Sequence, residues 1–392
     1  MGEASPAPGD EPPESNDEVR ARPAAAPPKL AGAHPDVLIV GDGLNIHVRR
    51  LAAALAERGL RVDLACFEGG PVQGVRMHRL GSMPPARDRR YLFAIPALAR
   101  LIRRTRPGLV HASFVSSYGL MTALATTLVQ PTGVRPPVVQ SALGSDLLVA
   151  PGRSRIKEWL ATLTLRRADL VTINSASLRE VVERLAPKAR THRFVWGPER
   201  HLLESPRQPE RLALSTRRME PDMRVDLVVA AWRQARAIAP AVLEGWRLVV
   251  THEGSQSARV HDAAGDDPTI DFVGVLPYDE LQRTLLRARI MISSPTSDAT
   301  SAALMDAFAA GLVPVVNAIP GALEWVDEEV GEIVSRDPTA EELAAAIVRA
   351  AERPDDPDRA RARAAGIVWE DEVPRLIDAY QTLHRGLVRQ AD

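Results

Sequence analysis

A single cysteine, Cys66, leaves the chain no internal disulfide and no cysteine-built zinc site. A lone thiol accords with a reducing, cytoplasmic compartment. Long apolar runs are missing too, and no window approaches the roughly 20 consecutive apolar residues of a membrane span. Net charge is nearly absent, because 49 basic and 50 acidic side chains leave a formal charge of −1. Bulk electrostatics therefore give no argument for nucleic acid as a partner. Residues 1–34 are rich in Pro, Ala, Glu and Asp and lack the apolar stretch of a signal peptide. They are expected to form a disordered extension that buries too little surface to fold.

What is present is the balance of a soluble globular protein, with 45% hydrophobic and 25% charged residues. The 392 residues suit two α/β domains of about 150–200 residues each. Short apolar runs at 37–40, 62–66, 109–111, 137–140 and 170–173 predict buried strands, and helical spacing fills 47–58, 91–105, 117–128 and 155–168. Strands separated by helices imply parallel βαβ units with right-handed crossovers. Residues 197–210 hold three prolines and no apolar period, which predicts a linker. Alternation then restarts, with strands expected at 211–215, 247–251, 270–273, 290–293 and 313–316. The fold class is α/β: two doubly wound, Rossmann-like domains (35–196 and 211–368) facing across a cleft, with a closing segment at 369–392. Such sheets bind ligands at the carboxyl ends of their strands.

The most informative stretch runs from Ser293 to Val316: a strand, a polar turn of small residues, a helix, the stop at Gly311 and another buried strand. Small residues at a helix entry let backbone N–H groups approach an anion, and the helix dipole favours phosphate there. That places Asp298, Ala299, Thr300, Ser301 and Ala302 at a candidate phosphate site, with Asp306 two turns inside the helix. On the residues alone the plainer reading has Asp298 capping the helix and Asp306 on a solvated face. Arg217, Arg218 and Arg224 follow a predicted strand, and guanidinium groups suit phosphate oxygens. In the first half, Gly41 and Gly43 occupy a strand-to-helix turn ahead of His47, without the third glycine of a dinucleotide fingerprint. His111 and Asp146 lie at strand ends.

The 293–316 segment resembles the signature of the retaining family 4 glycosyltransferases of GT-B architecture. It carries two acids separated by seven positions, Asp298 and Asp306, ahead of a run from Ala309 to Gly311 and then Pro314 to Val316. The resemblance implies that Asp298 contacts the transferred sugar and Asp306 the nucleotide ribose, with Asp at both positions where the family usually has Glu. It also implies that Arg218 or Arg217 binds the donor diphosphate, with Arg224 as the candidate for the family's absent lysine. Leu143 stands where many relatives carry an active-site His. Trp369 and Tyr380 match the closing helix that crosses back onto the first domain.

The implied activity is glycosyl transfer with retention from a nucleotide-sugar donor to a glycan, lipid-linked or small-molecule acceptor. Neither a cofactor nor a metal is expected: Asp298, Arg218 and Arg224 would be catalytic, and Gly41, Gly43, His47, His111 and Asp146 would line the acceptor or phosphate loop. The alternatives are another GT-B reaction, epimerase or phosphorylase, and a non-catalytic sugar-nucleotide-binding or scaffold protein. Residues 71–140 carry ten arginines against one acid, Asp88, with Arg87, Arg89, Arg90, Arg100, Arg103, Arg104 and Arg106 closely spaced. That stretch makes an anionic membrane surface at the inner face of the plasma membrane a candidate partner, the plainer reading being a solvated helix face.

Overall fold

The computed structural model describes residues 34–81, 90–133, 135–148 and 154–391. The N-terminal extension and Arg87, Asp88 and Arg89 lie outside the described residues. Two sheets, each wholly parallel, organise the chain. The first has seven strands: β1 (Val37–Val40), β2 (Val62–Cys66), β3 (Val75–Arg79), β4 (Leu109–Ser113), β5 (Val138–Ser141), β6 (Leu170–Ile173) and β7 (Thr191–Arg193), in the order β3-β2-β1-β4-β5-β6-β7. The second has six: β8 (Leu212–Ser215), β9 (Arg247–Thr251), β10 (Ile270–Gly274), β11 (Ile290–Ser293), β12 (Val313–Asn317) and β13 (Glu332–Val334), in the order β10-β9-β8-β11-β12-β13.

Central strands such as β1 and β11 are buried along their whole length, which is why they read as continuous apolar runs. Three strands escape the sequence pattern, and all lie at sheet edges. β3 carries Arg76, His78 and Arg79, while β7 and β13 are three residues long. In each sheet the strand order reverses once, between β1 and β4 and between β8 and β11. Those reversals open crevices where connections diverge to opposite faces.

The segment expected to be a plain linker contains a short helix, Arg200–Glu204, whose Leu202 is fully buried in the second core. One apolar residue in a polar stretch gives no period to detect, yet it anchors the crossing. Helix Trp369–Ala391 buries Trp369, Val373, Leu376, Ile377, Tyr380 and Leu383 in the core of the first sheet. Trp196, at the exit of that sheet, stacks on Trp369 with ring centroids 5.7 Å apart. Both crossings between the halves of the molecule therefore run through one aromatic pair, in an arrangement worth about 0.5–1.5 kcal/mol beyond area burial.

Candidate active site

At the β8–β11 reversal, helix Ala302–Ala309 begins from a polar turn. Ser301 is its N-cap, accepting from the Leu304 N–H at 3.4 Å. Asp298 is therefore not the cap. Its carboxylate instead accepts from the Ala299 N–H at 2.9 Å and from Arg217 Nη2 at 2.6 Å. Arg217, just past β8, also donates through Nη1 to Ser301 Oγ at 2.7 Å, and its Nε and Nη2 rest on Met223 Sδ. A nearly buried guanidinium thus sits beside a helix N-terminus with one carboxylate as its counter-ion. Both features attract anions, and an arriving phosphate would compete with Asp298 for Arg217.

The other two arginines go elsewhere. Arg218 is 71% exposed, with Glu220 at 3.6 Å as its partner. Arg224 holds a left-handed backbone (φ 49°) at the start of helix Val225–Ile238. It donates to the carbonyls of Ser294, Pro295 and Arg336, tying the polar turn to the strand exits. The three arginines thus differ in setting: Arg217 is nearly buried and ion-paired, Arg218 is exposed, and Arg224 is bound to loop carbonyls.

Asp306 is half-buried rather than solvated. Burial pushes its carboxyl up to about 7, Arg50 opposes the rise and Glu199 adds to it. The sign of the linkage follows from these positions. Between its ordinary 3.8 and about 7 the folded chain keeps a proton that the unfolded chain has released, so stability falls as pH rises through that window. Asp306→Asn is therefore expected to match wild type at pH 4 in urea unfolding. At pH 8 it should be more stable, on the order of 2 kcal/mol after discounting for partial solvent exposure. An equal difference at both pH values would refute the burial of a charge there.

The polar turn also reaches the first domain. Thr300 Oγ1 donates to the Asn174 carbonyl at 2.5 Å, Asn174 Nδ2 donates back to the Thr300 carbonyl at 3.2 Å, and Ala299 packs in the first domain's core. Glu324 accepts from the Ala176 N–H at 2.8 Å across the same boundary. These contacts close the cleft beside Asp298.

Residues nominated in the first domain divide between the turn after β1 and the core of the sheet. An added methyl group at Gly43 would meet the Glu68 carbonyl at 2.3 Å, whereas one at Gly41 would only crowd Val48 and Ser113 at 3.1–3.2 Å. His47 lies 5.1 Å from the Trp196 ring, and burial with the Arg50 charge lowers its pKa to about 4. His111 is a core residue: it hydrogen-bonds to Tyr380 and, at 2.6 Å, to Ser141, and burial holds it neutral with a pKa of about 3. The Asp146 side chain lies outside the described residues.

Arg50, Glu199 and Tyr278 neighbour Asp306, and His252 neighbours Arg217 and Arg218, with no motif in the sequence to mark them. His252 follows β9 in a strained left-handed conformation (φ 66°), and its pKa is lowered by burial, then by Arg218 and Arg217. Its one sequence signal is its place at a strand exit ahead of Gly254. Among the described residues no group of three or more His, Cys, Asp or Glu could hold a metal ion, and no helix is long and apolar enough to cross a membrane.

Two family descriptions match, and they meet the two sheets separately. Residues 36–175 match "Glycosyl transferase 4-like" and residues 204–367 match "Glycosyl transferases group 1". A comparison with curated protein sequences gives no match. Among solved structures, sucrose-phosphate synthase from Thermosynechococcus elongatus superposes with a TM-score of 0.69 at 18% identity, covering 89% of this chain and 99% of that one. WaaG, a glycosyltransferase involved in lipopolysaccharide biosynthesis, gives 0.70 at 13%, covering 88% and 99%. Anabaena HepE in complex with UDP-glucose gives 0.66 at 16%, covering 91% and 100%. With both halves matched in order and the paired sheets meeting at a cleft, the chain belongs to the group 1 glycosyltransferases of GT-B fold.

Proposed function

We propose that this glycosyltransferase takes its sugar from a nucleotide-sugar donor bound at the β8–β11 reversal and transfers it with retention at the anomeric carbon. The observation that carries the reading is Arg217, set between Asp298 and the N-cap Ser301. The donor diphosphate takes the guanidinium and the free N–H groups of the helix entry. As the bond from anomeric carbon to phosphate oxygen breaks, negative charge grows on the diphosphate, where these donors are already oriented. Asp298, released from Arg217, accepts from the sugar hydroxyls and faces the positive charge developing on the ring. Asp306 holds the ribose. Structures of HepE with UDP and with UDP-glucose support a donor of this class. A panel of nucleotide sugars tests it by thermal shift. A ligand at 100 times its dissociation constant stabilises by about 2.7 kcal/mol, and no shift with any member would refute the donor site.

The acceptor reading extends to a membrane surface. Leu92 and Phe93 are 52% and 72% exposed, and Arg100, Arg103, Arg104 and Arg106 are exposed along or just beyond the following helix, Ile95–Thr105. Apolar side chains beside cationic ones suit an anionic bilayer, each arginine near the surface contributing about 1 kcal/mol. The chain is expected to co-sediment with phosphatidylglycerol vesicles but not with phosphatidylcholine vesicles, and 0.5 M salt or Phe93→Ala should release it several-fold. Equal partitioning onto both vesicle types would leave only a solvated helix face.

A further inference from the structure

Between the polar turn and the carboxyl ends of β11 and β12 lies a small recess. Asp298 and Ser301 stand on its wall, and Leu304, Ile319 and Ala322 give it an apolar lining. Asn317, the last residue of β12, is fully buried and lines it as well. Its amide nitrogen donates to the carbonyls of Pro295 at 2.9 Å and Arg336 at 2.7 Å. Both amide hydrogens are thereby used, which fixes the orientation of the amide. The other atom, Oδ1, is buried and accepts from no donor among the described residues.

Buried polar groups are paired in the great majority of cases, so a bare acceptor in a recess points to a ligand that brings a donor. The dimensions limit its size. At about 20 Å³ the recess takes one small group, whereas an acetamido group or a second sugar ring is too large. The chemistry is limited as well. A carboxylate would set acceptor against acceptor beside Asp298 and Asn317, and a methyl group would leave Oδ1 unpaired. A hydroxymethyl group meets both limits, because its methylene packs on the apolar lining and its hydroxyl donates to Oδ1.

Resting on the donor reading above, which sets the transferred sugar against Asp298, we infer that this recess holds the primary hydroxyl of a hexose and that Asn317 is a specificity-determining residue for the donor sugar. The substrate class is then a nucleotide-activated hexose with a free hydroxymethyl group, and pentoses, 6-deoxyhexoses and hexuronic acids are refused. Asn317 also ties β12 to the polar turn through the Pro295 carbonyl. One side chain thus reads the sugar and holds the loop that carries Asp298.

Calorimetric titration tests this with two pairs that differ only in the primary alcohol: UDP-glucose against UDP-xylose, and GDP-mannose against GDP-rhamnose. In whichever pair binds, wild type is expected to prefer the hexose by about 10- to 100-fold, with UDP-glucuronate binding no better than UDP-xylose. Ala322→Val fills the recess and Asn317→Ala removes the acceptor. Each should shrink the preference by about fivefold or more while leaving the affinity for free UDP or GDP nearly unchanged. Should Asn317→Ala fail to fold through loss of its bonds to Pro295 and Arg336, Ala322→Val reads the same ratio without touching them. The ratio within a pair cancels any general loosening of the protein, so a merely structural role would not move it. Equal affinity for both members of a pair, a preference untouched in both variants, or binding of free nucleotide with neither pair overturns the recess and leaves the donor site standing. Absence of binding by every nucleotide and nucleotide sugar overturns the donor reading and the recess together.

Discussion

Arg217→Ala is expected to weaken binding of the donor nucleoside diphosphate by about 100-fold, on the order of 3 kcal/mol. Two effects add. The phosphate loses a nearly buried guanidinium that holds Ser301 and Asp298 in position. Asp298 also loses its counter-ion and becomes an unpaired negative charge facing an anion. The neighbouring arginines provide internal controls. Arg218, 71% exposed, should change affinity less than about threefold on replacement by alanine. Arg224→Ala should act through stability, because it frees the carbonyls of Ser294, Pro295 and Arg336. Equal loss of affinity in all three variants, with unchanged melting temperatures, would contradict the proposed division of roles.

Asp298→Asn is expected to have the opposite signature. Turnover should fall by at least about 100-fold, since a carboxylate facing a developing oxocarbenium charge matters most in the transition state. The nucleoside diphosphate should nevertheless bind as tightly as before, or up to about tenfold tighter, because Arg217 no longer has an anionic competitor at 2.6 Å. Steady-state kinetics alongside nucleotide titration separate the two quantities. Parallel loss of binding and turnover would instead make Asp298 a structural partner of Arg217.

Most of the fold was visible in the sequence because its central strands are buried on both faces. Continuous apolar runs such as Ile290–Ser293 have no other economical reading. Edge strands have one unpaired side at the rim of the sheet, so Val75–Arg79 is only partly buried, carries charge and hides from any hydrophobic pattern. The site divides along a similar line. Asp298, Ser301 and Asp306 lie in one local segment, and their spacing alone places them on a helix and its entry. Arg217 and Arg218 are adjacent in the chain, and successive side chains of an extended segment point to opposite sides, which separates a buried ligand for Asp298 from an exposed neighbour. Arg50, Glu199 and Tyr278 meet only because two domains close around a hinge. No periodicity along a single strand or helix encodes such a meeting.

Glycosyl transfer with retention can be tested without knowing the acceptor. The nucleotide sugar that most stabilises the protein can serve as sole substrate with water as acceptor, followed by proton NMR of the anomeric region before mutarotation. From an α-linked donor such as UDP-glucose, the first free sugar should be the α anomer, and Asp298→Asn should release it at least about 100-fold more slowly. Initial appearance of the β anomer would contradict retention.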